Sequence, residues 1–259
     1  MKSTALIISL SLFSIPACSK KADKGDAPAT ASKTVEATPV VAAEATIKVN
    51  PKLEALSTKF DPLQDRLEEL DYKAKGFEKE LIAAYGPMTT TLTLDELPAK
   101  VWLQCDSTRC VGATLILDED PTEVSSFDAI DENMEDGYYH GPAFLAWRVA
   151  NPDAAIKTTM SPKELTALYE KLAEADEVSW DSALKQLKPA GKSAKHSEDE
   201  DYLYWHALNA TDCVAVGFMK YEDDEGAVMD GLDLLEYEVT ADPLQNSDYA
   251  RCAMLALGL

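Results

Sequence analysis

The sequence predicts an α+β fold in which amphipathic helices pack against an antiparallel sheet. Three observations support this fold class. Capping residues followed by proline recur along the chain and are typical of helix starts. Short runs rich in β-branched and aromatic residues follow the helical stretches and are separated by polar turns. One of these strand-turn-strand segments recurs later in the chain.

Helix starts are predicted where a capping side chain stands directly before a proline, because proline is well tolerated at the first position of a helix. Four such pairs are interpreted as helix starts: Asn50-Pro51, Asp61-Pro62, Ser161-Pro162 and Asp242-Pro243. Ser161 and Glu164 also form a capping-box pattern. The spacing of apolar residues then predicts helices over residues 163–175 and 180–187.

Apolar residues between positions 53 and 81 alternate spacings of three and four, which is the pattern of a coiled-coil seam. They are Leu53, Leu56, Phe60, Leu63, Leu67, Leu70, Ala74, Phe77 and Leu81. Pro62 and Gly76 interrupt this stretch, and both residue types weaken a helix interior. We therefore predict separate helices that pack on the protein's own sheet, with a coiled coil as the alternative.

Strands are predicted for the β-branched and aromatic runs that lie between turn residues. The ranges are 100–105, 110–117, 143–149, 202–208, 213–221 and 232–239. Alternation along a strand places Tyr202 and Tyr204 on one face and Trp205 on the other. These side chains and the pair Tyr138-Tyr139 are predicted to pack in the core, with an exposed binding platform as the alternative.

An internal repeat appears when residues 102–120 are laid without a gap on residues 205–223. The matches are Trp102 with Trp205, Thr108 with Thr211, Cys110 with Cys213, Val111 with Val214, Glu119 with Glu222 and Asp120 with Asp223. We predict a tandem duplication of an α-β-hairpin module, with copies over residues 50–155 and 156–259 that form two domains or one. Two such modules would pair about a pseudo-two-fold axis and leave a groove between them. The alternative is two unrelated hairpins with similar sequences.

The N-terminus has the features of an export signal. Lys2 supplies a positive charge, and residues 5–13 form an apolar stretch too short to span a bilayer. The stretch leads into Ile15-Pro16-Ala17-Cys18, which resembles the bacterial lipobox. This resemblance implies that residues 1–18 are a lipoprotein signal peptide and that Cys18 is lipidated. An ordinary secretory signal is the alternative, and either signal exports the chain.

The lipobox resemblance also bears on the final location. In that family an Asp directly after the cysteine retains the protein in the inner membrane, so Ser19 implies the outer membrane of a Gram-negative cell. Residues 19–49 are rich in Ala, Thr, Lys and Pro, have no amphipathic period and are predicted to form a disordered tether. A tether of about 30 residues spans roughly 30 Å and would hold the folded region in the periplasm or at the surface.

The four remaining cysteines form an even set, which in an oxidising compartment predicts two disulfides. We favour Cys105 with Cys110 and Cys213 with Cys252 among the three pairings that four cysteines allow. The first pair flanks a tight polar turn that places its members opposite each other on a hairpin. Metal ligation is the alternative, although no C-x-x-C motif and no nearby histidine supports a zinc site.

Charge limits the classes of partner. Residues 50–259 contain 42 Asp and Glu against 18 Lys and Arg, a net charge of −24. Such a field repels nucleic acids and anionic lipid surfaces and attracts cations or basic protein surfaces. Nucleic-acid binding is therefore excluded as a main role.

The chain contains no nucleophile-elbow, zincin, P-loop or dinucleotide-binding motif, so no catalytic residue is predicted. Acidic clusters are the only candidate sites, and two of them follow the same strand of the repeat. Ca²⁺ binding is considered for Asp118, Asp120, Glu222 and Asp223, although the surrounding loops lack the EF-hand pattern. Solvated loops are the alternative.

We expect a noncatalytic acidic envelope lipoprotein that binds another envelope protein or serves as a structural accessory. Its contact with the membrane would be the N-terminal lipid anchor. The alternatives are a periplasmic hydrolase that uses acidic residues and a divalent-cation-binding protein. No cofactor is predicted beyond the Ca²⁺ considered above.

Overall fold

The computed structural model describes residues 50–135, 137–175, 177–194, 202–223 and 226–259. The predictions for the signal peptide, Cys18 and the tether over residues 19–49 lie outside these ranges. Helices and antiparallel sheets together make up the described part, so the α+β class is confirmed. None of the helices in these ranges has both the length and the apolar character needed to cross a lipid bilayer.

Three helices open the fold, namely α1 (Pro51–Ser57), α2 (Phe60–Glu69) and α3 (Ala74–Tyr85). The Asn50 side chain caps α1 as predicted, by accepting a hydrogen bond from the Lys52 amide at 3.1 Å. Helix α2 starts at Phe60, one residue before the predicted cap Asp61, and Lys59 at its N-cap makes no side-chain capping bond. Gly76, with φ of 98°, interrupts the start of α3. The helices are thus separate, as predicted.

The first sheet has four antiparallel strands in the order β1-β2-β3-β4. They are β1 (Thr90–Leu94), β2 (Leu97–Cys105), β3 (Arg109–Leu117) and β4 (Val124–Asn133). Helices α1 to α3 cover one face of this sheet. Their buried side chains form one core with Trp102 of β2, Leu115 of β3 and Phe127 of β4. The apolar residues with heptad-like spacing therefore pack against the first sheet.

Helix α4 (His140–Ala150) replaces the strand predicted for residues 143–149, so that prediction was wrong. Val149 is the only β-branched residue in this run, and alanine and leucine favour a helix. Helical spacing also brings the rings of Phe144 and Trp147 together, with centroids 5.7 Å apart.

The second half begins with α5 (Pro162–Ala173) and α6 (Trp180–Leu187). The predicted capping box of α5 is present, with Ser161 and Glu164 each bonded to the other's backbone amide. A second antiparallel sheet follows in the order β5-β6-β7, with β5 (Leu203–Leu208), β6 (Asp212–Asp223) and β7 (Gly226–Glu238). The last helix is α7 (Ser247–Leu257).

The helix start predicted at Asp242-Pro243 was wrong. Asp242 instead caps a turn, because its Oδ1 accepts a hydrogen bond from the Leu244 amide at 2.8 Å. Helix α7 begins only at Ser247. A capping side chain before proline serves a turn as well as a helix, so the local pattern could not separate the two.

Helices α4 and α7 pack against each other between the two sheets. Phe144 of α4 contacts Tyr249 of α7 in the core of the second sheet, while Met254 of α7 reaches the core of the first. Helices α5 and α6 cover the outer face of the second sheet. The order of layers is therefore helices, sheet, central helices, sheet, helices.

Both predicted disulfides are present. Cys105 and Cys110 are direct cross-strand partners that close the β2–β3 hairpin. Cys213 and Cys252 join β6 to the central helix α7. The first bond is local, whereas the second ties the sheet to the middle layer of the fold.

The repeat extends into the hydrogen bonds of the two hairpins. Asp106 Oδ1 accepts from the Thr108 and Arg109 amides at 2.8 and 2.9 Å. Asn209 Oδ1 accepts from the Thr211 and Asp212 amides at 2.7 Å each. The two carbonyl groups at these positions also each accept a bond from a tyrosine hydroxyl, that of Tyr139 at 2.6 Å and that of Tyr249 at 2.8 Å. The two halves therefore share turn chemistry as well as strand order, and duplication remains our interpretation of that likeness.

The turn at Asp106 should tolerate asparagine, since Asn209 forms the same turn in the second hairpin. Burial raises the pKa of Asp106, but hydrogen bonds from Thr108, Asn50 and Arg109 outweigh it, and the pKa lies below its ordinary value. Its ionised form therefore stabilises the fold at neutral pH, and this contribution is lost as pH falls below about 4 and through the lowered value.

We expect Asp106→Asn to lower the free energy of unfolding at pH 7 by no more than about 1 kcal/mol. The difference from the wild type should shrink as pH falls below about 4. Urea unfolding at several pH values measures both quantities, and Asp106→Ala, which removes the turn acceptor, is the matched comparison. A difference that is constant from pH 7 to pH 3 would contradict the assigned role of the carboxylate.

Candidate functional site

A cleft of about 260 Å³ opens between the first sheet and the segment that precedes α7. Strands β3 and β4 form one wall, the start of α4 forms another, and residues 242–245 form the third. The first wall belongs to the first half of the chain and the third to the second half. The cleft is therefore lined by residues of both halves of the chain, while the groove between two duplicated modules stays a prediction.

Strand alternation decides which side chains reach this cleft. Ala113 and Leu115 point to the face of the first sheet that α1 to α3 cover, so Thr114 between them points to the opposite face. On that face α4 packs over Val101 and Ile130, among others. Thr114 is buried on this face and lines the cleft.

Four carboxyl groups line the cleft: Asp95, Asp128, Glu132 and Asp242. No lysine, arginine or histidine is among its described lining residues. Asp95, Asp128 and Asp242 form no ion pair within the part of the chain that the structure describes. Like charges gathered around one cavity strengthen the local field, so the cleft favours a cationic ligand.

Two further side chains of different exposure line the cleft. The Thr114 side chain is 3% exposed, and its hydroxyl has no hydrogen-bond partner within the described residues. An unsatisfied buried hydroxyl costs about 1–3 kcal/mol. Tyr138 stands at the rim and is 58% exposed, although its backbone carbonyl is held by a hydrogen bond from the Ser247 hydroxyl at 2.8 Å. The rim thus presents an aromatic ring on an anchored backbone.

Two larger depressions differ in charge. One of about 460 Å³ lies beside Arg109, whose guanidinium forms ion pairs with Glu54 and Asp131 at 2.7 Å. The other, of about 410 Å³, lies between α5 and the second sheet and is lined by Lys163 as well as by acidic residues. Both include a basic side chain of the protein, so the cleft at Thr114 is the stronger candidate for an external cation.

The residues considered for Ca²⁺ lie in two different sheets. Asp118 and Asp120 belong to the β3–β4 turn and accept hydrogen bonds from the Glu119 amide at 2.6 Å and the Thr122 amide at 2.9 Å. Glu222 and Asp223 end β6, and their side chains lie outside the described part of the structure. No group of three His, Cys, Asp or Glu side chains within the described ranges is arranged to hold a metal ion. Ca²⁺ binding therefore stays a prediction.

Two of the three histidines, His140 and His206, lie in the described ranges. His140 is the first residue of α4, and burial lowers its pKa, with Arg251 adding to this effect and Asp248 opposing it. His206 is buried within β5. His196 lies outside the described residues.

The aromatic residues divide between core and surface. Tyr139, Tyr204 and Trp205 are buried, as predicted, and the Trp205 ring stacks on Phe218 with centroids 5.0 Å apart. Tyr138 is exposed, so the prediction that it packs in the core was wrong. Of the two neighbours, Tyr139 faces the first sheet and Tyr138 faces the solvent at the cleft.

The cleft residues were not predicted from the sequence, although it contains two weak signals of them. Thr114 is a polar residue within an otherwise apolar strand, and Asp128 and Glu132 alternate with the buried Ile130 on one face of β4. Asp128 is exposed and Glu132 is half-buried, so this alternation is only a weak signal. No pattern indicated that Asp242 lines a cleft, because the pair Asp242-Pro243 was interpreted as a helix start.

No protein-family model, curated protein or solved structure matches this chain. Its function is therefore inferred from its own geometry and charge.

Proposed function

We propose that this chain is a noncatalytic, lipid-anchored envelope protein that binds another envelope protein through a basic surface of that partner. The observation that carries the proposal is the cleft between the halves, which four carboxyl groups line without any basic side chain among its described residues. Charge complementarity of this kind guides association and selects partners. The net charge of −24 over residues 50–259 acts in the same direction.

The scaffold suits binding because it holds the cleft in place before a partner arrives. Two sheets enclose α4 and α7, and the Cys213–Cys252 disulfide joins one sheet to that central layer. The cleft walls come from a sheet, a helix start and a turn capped by Asp242. A preorganised surface loses less conformational entropy on binding, which favours affinity.

The hydrolase alternative receives less support from the described carboxyl groups. A general acid at neutral pH needs a raised pKa. Asp106, Asp120 and Glu164 have shifted pKa values, and all three are lowered. In Glu164, for example, hydrogen bonds from the Ser161 amide and hydroxyl favour the ionised form. These three groups favour the carboxylate, which suits electrostatic binding or a structural role better than proton donation.

The anchor is the second part of the proposal. Lipidation at Cys18 and a tether over residues 19–49 would place the acidic region in the periplasm or at the surface, within reach of other outer-membrane proteins. A tether of about 30 residues restricts the region to a layer of roughly 30 Å, which raises its effective concentration near an envelope partner.

A crosslinked pull-down from native envelopes tests this function. We expect the full-length protein to enrich one partner with an exposed basic segment, and Cys18→Ser to reduce its recovery because the variant loses the anchor. The double variant Asp128→Asn, Asp242→Asn should reduce recovery about tenfold or more, since each partly desolvated charge pair contributes on the order of 1 kcal/mol.

The matched control is Glu119→Gln combined with Asp120→Asn, which removes the same charge from the β3–β4 turn outside the cleft. This control should retain the partner. The proposal fails if no specific protein is enriched at low salt, or if both double variants lose the partner equally.

A further inference from the structure

The second sheet contains a counterpart of the cleft-lining position. In the first sheet Val101, Thr114 and Asp128 are direct cross-strand partners on β2, β3 and β4. The 103-residue offset of the repeat relates Val101 to Tyr204 and Thr114 to Gly217. Strand pairing then places Asp233 of β7 opposite Gly217, as Asp128 is opposite Thr114.

An aromatic ring fills this position in the second sheet. A Cβ atom on Gly217 would lie 2.2 Å from Cε1 of Tyr204, so the ring lies directly over the glycine. The Tyr204 hydroxyl donates a hydrogen bond to Asp233 Oδ2 at 2.8 Å. Glycine is needed here because any side chain would occupy the space of the ring. In the second sheet the Tyr204 ring is therefore the planar group, and its hydroxyl is the hydrogen-bond donor to the Asp233 carboxylate.

The first sheet lacks both features. Val101 is fully buried and too short to extend over β3 as Tyr204 extends over β6, and its β3 partner Thr114 lines the open cleft. Asp128 Oδ2 accepts a hydrogen bond from its neighbour Ser126 at 2.7 Å, and the buried Thr114 hydroxyl has no partner within the described residues. The cleft thus has the shape and the acceptors for a planar hydrogen-bond donor that this half of the chain does not provide.

We propose that the cleft binds the guanidinium group of an arginine presented by the partner protein. This inference rests on the proposed function and names the group that the acidic site recognises. Guanidinium is planar and carries five N–H donors, so it can donate to Asp128 and to the Thr114 hydroxyl at the same time. The four carboxyl groups attract its positive charge, whereas they would not attract a neutral tyrosine side chain in this way.

Tyr138 adds a reason to prefer arginine to lysine. Its exposed ring lines the cleft, so it can stack on the face of a guanidinium bound there. A lysine ammonium is a compact, strongly hydrated charge and cannot fill a slot that suits an aromatic ring. Arginine therefore satisfies the shape, the hydrogen bonds and the charge together.

Isothermal titration of the full-length protein tests this assignment. The probes are three peptides, acetyl-Ala-Ala-X-Ala-Ala-amide, in which X is arginine, lysine or citrulline. We expect the arginine peptide to bind at least tenfold more tightly than the citrulline peptide, which has the same shape without the charge. The lysine peptide should bind about fivefold more weakly than the arginine peptide.

The decisive variant rebuilds the second sheet's arrangement in the first. Val101→Tyr with Thr114→Gly places a ring in the cleft and its hydroxyl near Asp128, and it should reduce arginine-peptide binding at least tenfold. Asp128→Asn keeps the volume and should reduce binding about fivefold, so the test does not depend on the folding of the double variant. Tyr204→Phe, which removes the corresponding hydroxyl in the second sheet, is the control that should bind normally.

Equal binding of the three peptides, or arginine-peptide binding unchanged by both cleft variants, would overturn the assignment. The two proposals fail in different ways. A partner that is lost from the charge-neutralised protein but retained by Val101→Tyr with Thr114→Gly would support the adaptor function and refute the guanidinium site. Selective binding of the arginine peptide, with no envelope partner enriched in the pull-down, would support the guanidinium site and refute the adaptor function.

Discussion

Replacing Cys213 and Cys252 together by alanine is expected to lower the free energy of unfolding by about 4 kcal/mol. The bond joins residues 39 positions apart, and both sulfur-bearing residues are fully buried between β6 and α7. A disulfide that closes a long loop removes more conformational entropy from the unfolded chain than one that closes a short loop. Urea unfolding of the purified variant measures the loss.

The second disulfide supplies the matched comparison. Cys105 and Cys110 are five positions apart, so replacing both by alanine should cost only about 2 kcal/mol. Their hairpin also keeps its strand pairing and the Asp106 turn. Equal losses for the two double variants would show that loop entropy does not decide the contribution of these bonds.

Phe77→Ala should also destabilise the fold by about 4 kcal/mol, because it opens a cavity in the core of the first sheet. The Phe77 side chain is 0% exposed, and its ring meets the edge of Phe127 with centroids 5.2 Å apart. Chemical denaturation followed by tryptophan fluorescence reports this loss of stability through the buried Trp102 in the same core.

Ile82→Ala is the control on the same helix. Its side chain is 48% exposed, and substitutions at exposed positions usually change the free energy of unfolding by no more than about 0.5 kcal/mol. A loss at Ile82 comparable to that at Phe77 would contradict the assignment of the Phe77 loss to core packing, since alanine is the better helix former at both positions.

Local chemistry was enough to predict much of the fold. Ser161 and Glu164 form their capping box because both partners lie within one helical turn. The Cys105–Cys110 pair needs only a tight turn, and the Cys213–Cys252 pair followed once the first was assigned.

Predictions failed where a short sequence pattern was compatible with two structures. Residues 143–149 are apolar enough for a strand or a buried helix, and a period of three to four residues over so short a run did not separate them.

The cleft could not be predicted in the same way, because its lining comes from segments that are distant in sequence. Asp95, Thr114, Asp128 and Asp242 belong to two hairpins and a turn before the last helix. Their proximity depends on strand pairing, on the length of α4 and on how the second half packs over the first. The repeat predicted a groove between two modules, which stays a prediction, and it did not indicate which residues line the cleft.

By itself the sequence determined the acidic charge, the α+β class, most helix starts and the repeat, because composition, caps and periodicity act over one or two turns of chain. Only the tertiary structure decided that Tyr204 extends over Gly217 to Asp233, whereas Val101 does not extend over Thr114 and the cleft stays open. That difference arises from packing across three strands, where the size of one side chain decides whether a carboxylate receives an internal donor or faces a cleft. The hydrophobic pattern of a strand predicts which of its faces is buried. How completely the space over that face is filled depends on the packing of the folded layers.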